Sequence, residues 1–396
     1  METHLRAQFN AQFSTLKYEA VLESISNDFG YTPTFRLGET PFFIPEHLKD
    51  ALIDGFNQVV DAILAPNFKE KTERALDLNI RVPGFEGKPH FLAVDFGICE
   101  EAGHIVPKLI EVQGFPSLFN FQSHLAAAFK KTYPDFGHLT PYFNGLTPET
   151  YMDEMRHLIL GDSKPEQVIL LEIEPHLQNT RIDFLYAERD FGIKIVCVTE
   201  VYEKENQLFY TSETGEPIRI ERIYNRVIFD ELNTRKDLNL RFDFTKNYDV
   251  YWVGHPNWFF RISKFILPFL KGPYFIDTQL VSDIKEWPTD LENYVLKPLF
   301  SFSGSGVIFH VTKADLEAVQ DKDLYILQKK VHYAPIIQAP DGGVKAEVRL
   351  LAIWSEGAER PRLVTNLVRL SRGEMIGVKF NKDKTWVGGT FGLFEQ

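Results

Sequence analysis

Apolar residues along this chain follow two spacings. Near the start they recur every three or four positions, at Leu5, Phe9, Phe13, Leu16 and Leu22, with Gly30 after them. That period lines up one side of a helix, and the glycine marks its end. A further helix is predicted from Pro45, whose fixed φ suits a first turn. Its apolar side holds Leu48, Leu52, Phe56, Val59, Val60 and Ile63. Residues 1–64 therefore read as a helical scaffold.

From His90 the spacing drops to two. Residues 91–98 form an apolar run broken by one acid, Asp95, and Glu100, Glu101 and Gly103 make a turn. A second strand covers 107–113, where Glu111 and Gln113 alternate with Ile110 and Val112. Alternation puts Glu111 and Gln113 on one face, and antiparallel pairing can bring Asp95 to that face. Such a set of hard oxygen donors suits magnesium bound together with phosphate oxygens, although polar residues on the exposed face of an edge hairpin look the same. A loop at 114–117 leads into a helix through 125–129, whose N-terminus is expected beside the acids and open to an anion.

Residues 148–200 read as α/β: a helix capped near Thr150, a strand over 167–172, a helix over 176–190 and a parallel strand over 193–198. A hairpin is expected over 200–216, with Gly215 in its neighbourhood. Residues 218–232 carry Arg219, Arg222 and Arg226. The last two suit fork-like binding of a carboxylate or phosphate, or pairing with Glu221, Asp230 and Glu231. A strand over 251–254 and a turn precede a helix over 258–270 bearing Lys264. Residues 294–296 form a strand that ends at Lys297, Pro298 forbids helix, and a Ser/Gly loop at 301–306 leads to a second strand at 307–309. Small residues let such a loop lay backbone N–H groups over phosphates, with Lys297 as a point charge; a glycine-rich surface hairpin fits equally well. No Gly-Lys-Ser/Thr closes a Walker A loop, and no helix follows as a Rossmann fingerprint needs. A short helix over 312–319 is capped by Thr312. Strands follow at 324–331, 346–354 (Glu347 and Arg349 on one face) and 363–371 (Asn366 and Arg369). The first of these either reads an adenine edge, with Leu327 and Val331 as walls, or is plain sheet core.

Composition narrows the class. The 396 residues are 44% hydrophobic and 25% charged, with a net charge of −12. That balance and the lack of a basic stripe exclude a non-specific nucleic-acid binder. The two cysteines, Cys99 and Cys197, lie in apolar strand-like runs and read as buried thiols. No apolar signal region opens the chain and no long apolar run follows, so neither export nor membrane insertion is expected, and the protein is expected to be cytoplasmic.

Taken in order, the Lys264 helix, the strand ending at Lys297, the Ser/Gly hairpin and the Gln328 strand resemble an ATP-grasp nucleotide site. The Asp95 strand and LIEVQGFPSL resemble the glutathionylspermidine synthase-like branch of that family, which is circularly permuted. IERIYNRVIFDEL is similar to the segment before its grasp module. The likeness spans most of 90–390.

The resemblance implies a mixed α+β and α/β fold. Two antiparallel sheets clamp ATP, alongside N-terminal helices and an α/β portion that precedes the grasp. The implied divisions are 1–145, 146–271, 272–335 and 336–396. Lys264 and Lys297 would hold phosphates, Ser303, Gly304, Ser305 and Gly306 would cover them, and Gln328 and Lys329 would meet the nucleotide. Asp95, Glu111 and Gln113 would hold Mg2+, and Arg349 and Arg226 would serve as catalytic arginines. Two positions depart from the family: Ala93 stands where an arginine is expected, with Arg81, Arg226 or Arg349 as replacements, and Gln113 stands in place of asparagine.

The implied activity is an ATP- and Mg-dependent carboxylate–amine ligase working through an acyl phosphate. The alternatives are a kinase on the same scaffold and a degenerate nucleotide-binding protein. Partners would be a small acid and an amine (amino acid, peptide or polyamine), with no nucleic acid and no membrane.

Overall fold

The computed structural model describes residues 3–77, 80–301, 305–340, 342–373, 376, 381 and 383–395. The amino-terminal helical pattern is realised as Thr3–Gln12, Thr15–Asn27 and Glu46–Leu64. The first two separate at Ser14, whose extended backbone and side chain cap the second helix by accepting from the Lys17 N–H. Leu5 and Phe9 are buried as expected, but Leu16, just inside the new helix, is 78% exposed. Leu48, Leu52, Phe56, Val59, Val60 and Ile63 all bury against the core.

A six-stranded antiparallel sheet forms the centre. Its order is Gly388–Thr390, Arg362–Ser371, Gly342–Ile353, Phe91–Glu101, His104–Gln113, with Ile337–Ala339 added on Gly342–Ile353. The predicted early hairpin is thus inserted beside strands from the far end of the chain. Arg349 lies opposite Asp95, Asp95 opposite Glu111, and Glu347 opposite Arg369. Period-two alternation puts all five on one face. Gly97, opposite Glu347, leaves the room that the Tyr333 ring takes; a Cβ there would lie 2.7 Å from the ring.

A second sheet is all parallel: Tyr251–Val253, Arg222–Asn225, Val168–Glu172 and Lys194–Cys197. Glu172 closes a fully buried run at its strand's carboxyl end. The connecting helix is shorter than expected, Arg181–Phe191, because residues from Glu174, with φ 42°, turn before it. The hairpin expected over 200–216 is the start of a three-stranded meander.

The third sheet that matters is small and antiparallel: Thr278–Leu280, Tyr325–Lys329 and Tyr294–Pro298. Leu296 and Leu327 pair on one face and bury with Val281, Val311 and Leu316. Val295, Lys297 and Gln328 therefore share the other face. The strand expected at 307–309 is a single bridge, Ile308 to Leu296. The helix expected over 258–270 is two pieces, Asn257–Arg261 and the 3-10 turns Lys264–Phe269. Ser263 breaks it by capping the second piece through the Phe265 N–H, and Pro268 lacks the N–H that a continued α-helix needs. Both cysteines are buried and unpaired. No helix among the described residues is long and apolar enough to cross a membrane.

Candidate functional site

The charged face of the central sheet is held by ion pairs. Arg349 grips Asp95 with both ends of its fork, Nε to Oδ1 at 2.6 Å and Nη2 to Oδ2 at 2.7 Å. Arg369 also reaches Asp95 Oδ2, at 2.5 Å, and pairs with Glu347. Tyr333 donates to Glu347 Oε2 at 2.9 Å. Asp95 is fully buried, so this bidentate pairing compensates a charge that could not otherwise stay inside.

One strand over, the early hairpin meets the late cations. Lys264 Nζ lies 2.7 Å from Glu111 Oε1 and donates to the Ser301 carbonyl at 2.7 Å. The contact follows from local structure. Gly114 N–H donates to the Ile262 carbonyl at 2.9 Å, so the end of the hairpin is laced to the turn that starts with Lys264. Burial alone would push the Glu111 carboxyl up, but Lys264, then Arg349 and Arg369, hold it at about 2. Lys297 Nζ donates to Gln328 Oε1 at 2.6 Å, and Gln328 in turn donates to Thr278. Burial pushes the Lys297 ammonium down to about 8.

These groups line a cavity of about 340 Å³ between the central and small sheets. Glu111, Gln113, Lys264, Lys297, Arg349 and Arg369 form its polar side, and Ile276, Val295, Val307 and Phe309 form an apolar side. Glu172 and Arg226 also line it. Burial pushes the Glu172 carboxyl up to about 8.

Several expected positions take other roles. Leu327 faces the small core, so Val295 and Ile276 stand where it was expected as a wall beside Val331. Lys329 sits at the cavity rim with its N–H spent on the Asp277 carbonyl. Ser305 and Gly306 are exposed, Gly306 in a turn with φ 70°, and Ser303 and Gly304 lie outside the described residues. Arg226 is buried against Asp183 rather than paired with Glu221, Asp230 or Glu231. Asp183 also accepts from the Asn120 and Phe121 N–H groups at 2.8 and 2.9 Å. The helix N-terminus expected to be open to an anion therefore already holds this carboxylate. Arg222 donates to the Leu158 and Ile159 carbonyls, and Arg219 pairs with Asp249. Of the arginines weighed against the missing one at Ala93, Arg81 pairs with exposed Glu73 while Arg349 reaches Asp95. Glu172, Tyr333, Glu347 and Arg369 received no role from the sequence. The alternation of Glu347 with Arg349 was the available signal for one of them.

The donor set fits a phosphate-borne Mg2+ only in part. Glu111 keeps one carboxylate oxygen beyond its lysine contact, and Gln113 Oε1 is buried with no partner among the described residues. A carboxylate and an amide carbonyl are the few protein donors magnesium needs when phosphates supply others. Asp95, with both oxygens on arginine, is not such a donor in this arrangement. Among the described residues no three His, Cys, Asp or Glu side chains stand grouped for a metal.

Neither a protein-family model nor a curated protein sequence matches the chain. Among solved structures, a glutathione synthetase-like effector from Globodera pallida, solved in its apo form, superposes with TM-score 0.57. It is 12% identical, and the match covers 96% of this chain and 97% of that one. A candidate gamma-glutamylcysteine synthetase from Methylobacillus flagellatus gives 13% identity over 90% of each chain, with TM-score 0.37, too low to establish a shared topology. The chain thus has a mixed α/β fold like that of a glutathione synthetase-like protein over nearly its whole length.

Proposed function

We propose that this protein is an ATP- and Mg-dependent carboxylate–amine ligase, with the central and small sheets as the jaws of a circularly permuted ATP-grasp site. The observation that carries the reading is the 2.7 Å contact between Glu111 of the early hairpin and Lys264 of the late segment, inside a cavity also lined by Lys297 and Arg369. Charge neutralisation around a triphosphate needs cations and hard oxygen donors from different parts of a fold. Val295 and Ile276 offer an apolar seat for a base, Lys264 and Lys297 hold phosphates, and Glu111 with Gln113 hold Mg2+, which supplies charge neutralisation on the phosphates.

In the first step a substrate carboxylate oxygen attacks the γ-phosphorus and ADP leaves with the bridging oxygen. The amine nitrogen then attacks the acyl carbon, phosphate leaves, and the nitrogen gives up a proton. Glu172, which lines the same cavity and whose carboxyl burial raises to about 8, is the group we assign to accept that proton in its ionised form. Arg349 and Arg369 face the developing charge.

The double arginine grip on Asp95 favours a second reading, a nucleotide-binding protein without turnover. Incubation with MgATP and panels of acids and amines, read by ADP release and by mass of the product, separates the cases. A ligase yields an amide, a kinase stops at a phosphorylated product, and a binder releases no ADP. Glu111→Gln is expected to cut ADP release about a hundredfold or more. Undiminished release would remove Glu111 from the metal site.

A further inference from the structure

A second cavity, of about 700 Å³, adjoins the first and shares Arg349, Arg369 and Ile376 with it. Its walls are apolar: Phe35, Leu118, Phe121, Leu367, Leu370 and Val387. Phe35 meets Phe121 edge to face at 5.7 Å, so the wall is built from packed rings. Most of its few polar side chains are already engaged. Arg36 pairs with Glu39, and Asn381 accepts from the Arg372 and Gly373 N–H groups. Asp383 is exposed at its edge.

Two polar atoms remain without partners among the described residues. Arg369 Nε is a buried donor at the junction of the two cavities. Gln122 Oε1 is a buried acceptor on the helix Phe119–Thr132, and the residue is only 3% exposed. A buried acceptor left unpaired costs free energy that a ligand donor can restore. The pattern thus describes its complement: an acceptor at the arginine end, an apolar body, and one N–H or O–H toward Gln122.

We propose that this second cavity is the site of the carboxylate donor, and that the donor is an acid with an apolar, aromatic-sized body carrying a single hydrogen-bond donor. The carboxylate sits at Arg369 and Arg349, facing the first cavity. A zwitterionic peptide acid is disfavoured, because an ammonium in the body of the cavity would lie among phenylalanine and leucine side chains, with the acid Asp383 only at the exposed edge. The role as substrate rests on the ligase reading; the binding chemistry does not.

Calorimetric titration of the full chain tests it, with indole-3-propionate, 3-(1-naphthyl)propionate and glutarate as probes. The indole acid, which alone has an N–H, is expected to bind one-to-one and about tenfold more tightly than the naphthyl acid, with glutarate weaker than both. Gln122→Leu removes the acceptor and is expected to abolish that preference while keeping naphthyl binding, which also reports an intact pocket. Phe35→Ala, at a half-buried wall position, is expected to weaken both aromatic acids about equally, by roughly tenfold. Glutarate binding more tightly than either aromatic acid, or an indole preference that survives Gln122→Leu, overturns the proposal. Adding MgATP separates the two readings. Aromatic acids that bind without ADP release contradict the ligase and leave the pocket standing, whereas ADP release with glutarate alone contradicts the pocket and leaves the ligase.

Discussion

Lys297 is a cation weakened by its surroundings. Burial lowers its ammonium from 10.5 to about 8, so near that pH the free protein carries it partly neutral. Phosphates beside it favour the charged form, and nucleotide binding should therefore take up a proton. Titrations of MgATP near pH 8 in buffers of different ionisation enthalpy should give different heats; identical heats would place the phosphates elsewhere. Glu172 shows the opposite case, an acid raised by burial from 4.5 to about 8. Its neutral form suits the fold, so its contribution is complete below pH 4.5 and is lost as pH rises through about 8. Glu172→Gln keeps an acceptor for the Ile173 N–H but cannot ionise. That variant should match the parent in unfolding free energy from urea titration near about pH 5 and exceed it by about 2–4 kcal/mol near about pH 9. Equal stability at both values would show that Glu172 ionises freely in the folded state.

The elements carry the site through close backbone approaches. A Cβ on Gly114 would lie 2.6 Å from the Trp258 carbonyl oxygen and 3.0 Å from Ile262 Cβ. Gly114→Ala should therefore wedge the hairpin from the Lys264 turn, costing about 1–3 kcal/mol in denaturant unfolding and weakening MgATP binding. Parental stability and affinity in that variant would show the two elements to be less tightly coupled than their hydrogen bond suggests. The hairpin itself was legible because Asp95 interrupts an apolar run and Glu111 alternates with Val112, a period only a strand explains. The Lys264 segment was not, because WFFRISKFILPFL surrounds Arg261, Ser263 and Lys264 with apolar residues and offers no clean helical stripe, leaving the break to Ser263 and Pro268. Leu327 and Gln328 sit in a strand with apolar and polar residues on each face, so its orientation had to come from the partner strand. Arg226 found Asp183, a residue distant in sequence, where nearer acids were the only partners visible along the chain.

At the scale of the molecule, the strands Phe91–Glu101 and His104–Gln113 share one sheet with Ile337–Ala339, Gly342–Ile353, Arg362–Ser371 and Gly388–Thr390, and Phe42–Phe43 pairs with Gly392–Leu393, so early and late segments close on the same core. The small sheet that carries Lys297 stands across the cavity from them. Such an arrangement makes the site a joint product of distant segments, and no fragment of the chain contains it whole. The most direct test is calorimetric titration of MgATP into the parent, Glu111→Gln and Lys297→Met proteins. One acts from the early hairpin, the other from the late sheet. Saturable binding by the parent, weakened about tenfold or more in both variants while each keeps the parent's folded circular dichroism spectrum, is the predicted result. Parent-like affinity in both variants, or no binding by the parent, would contradict a shared triphosphate site.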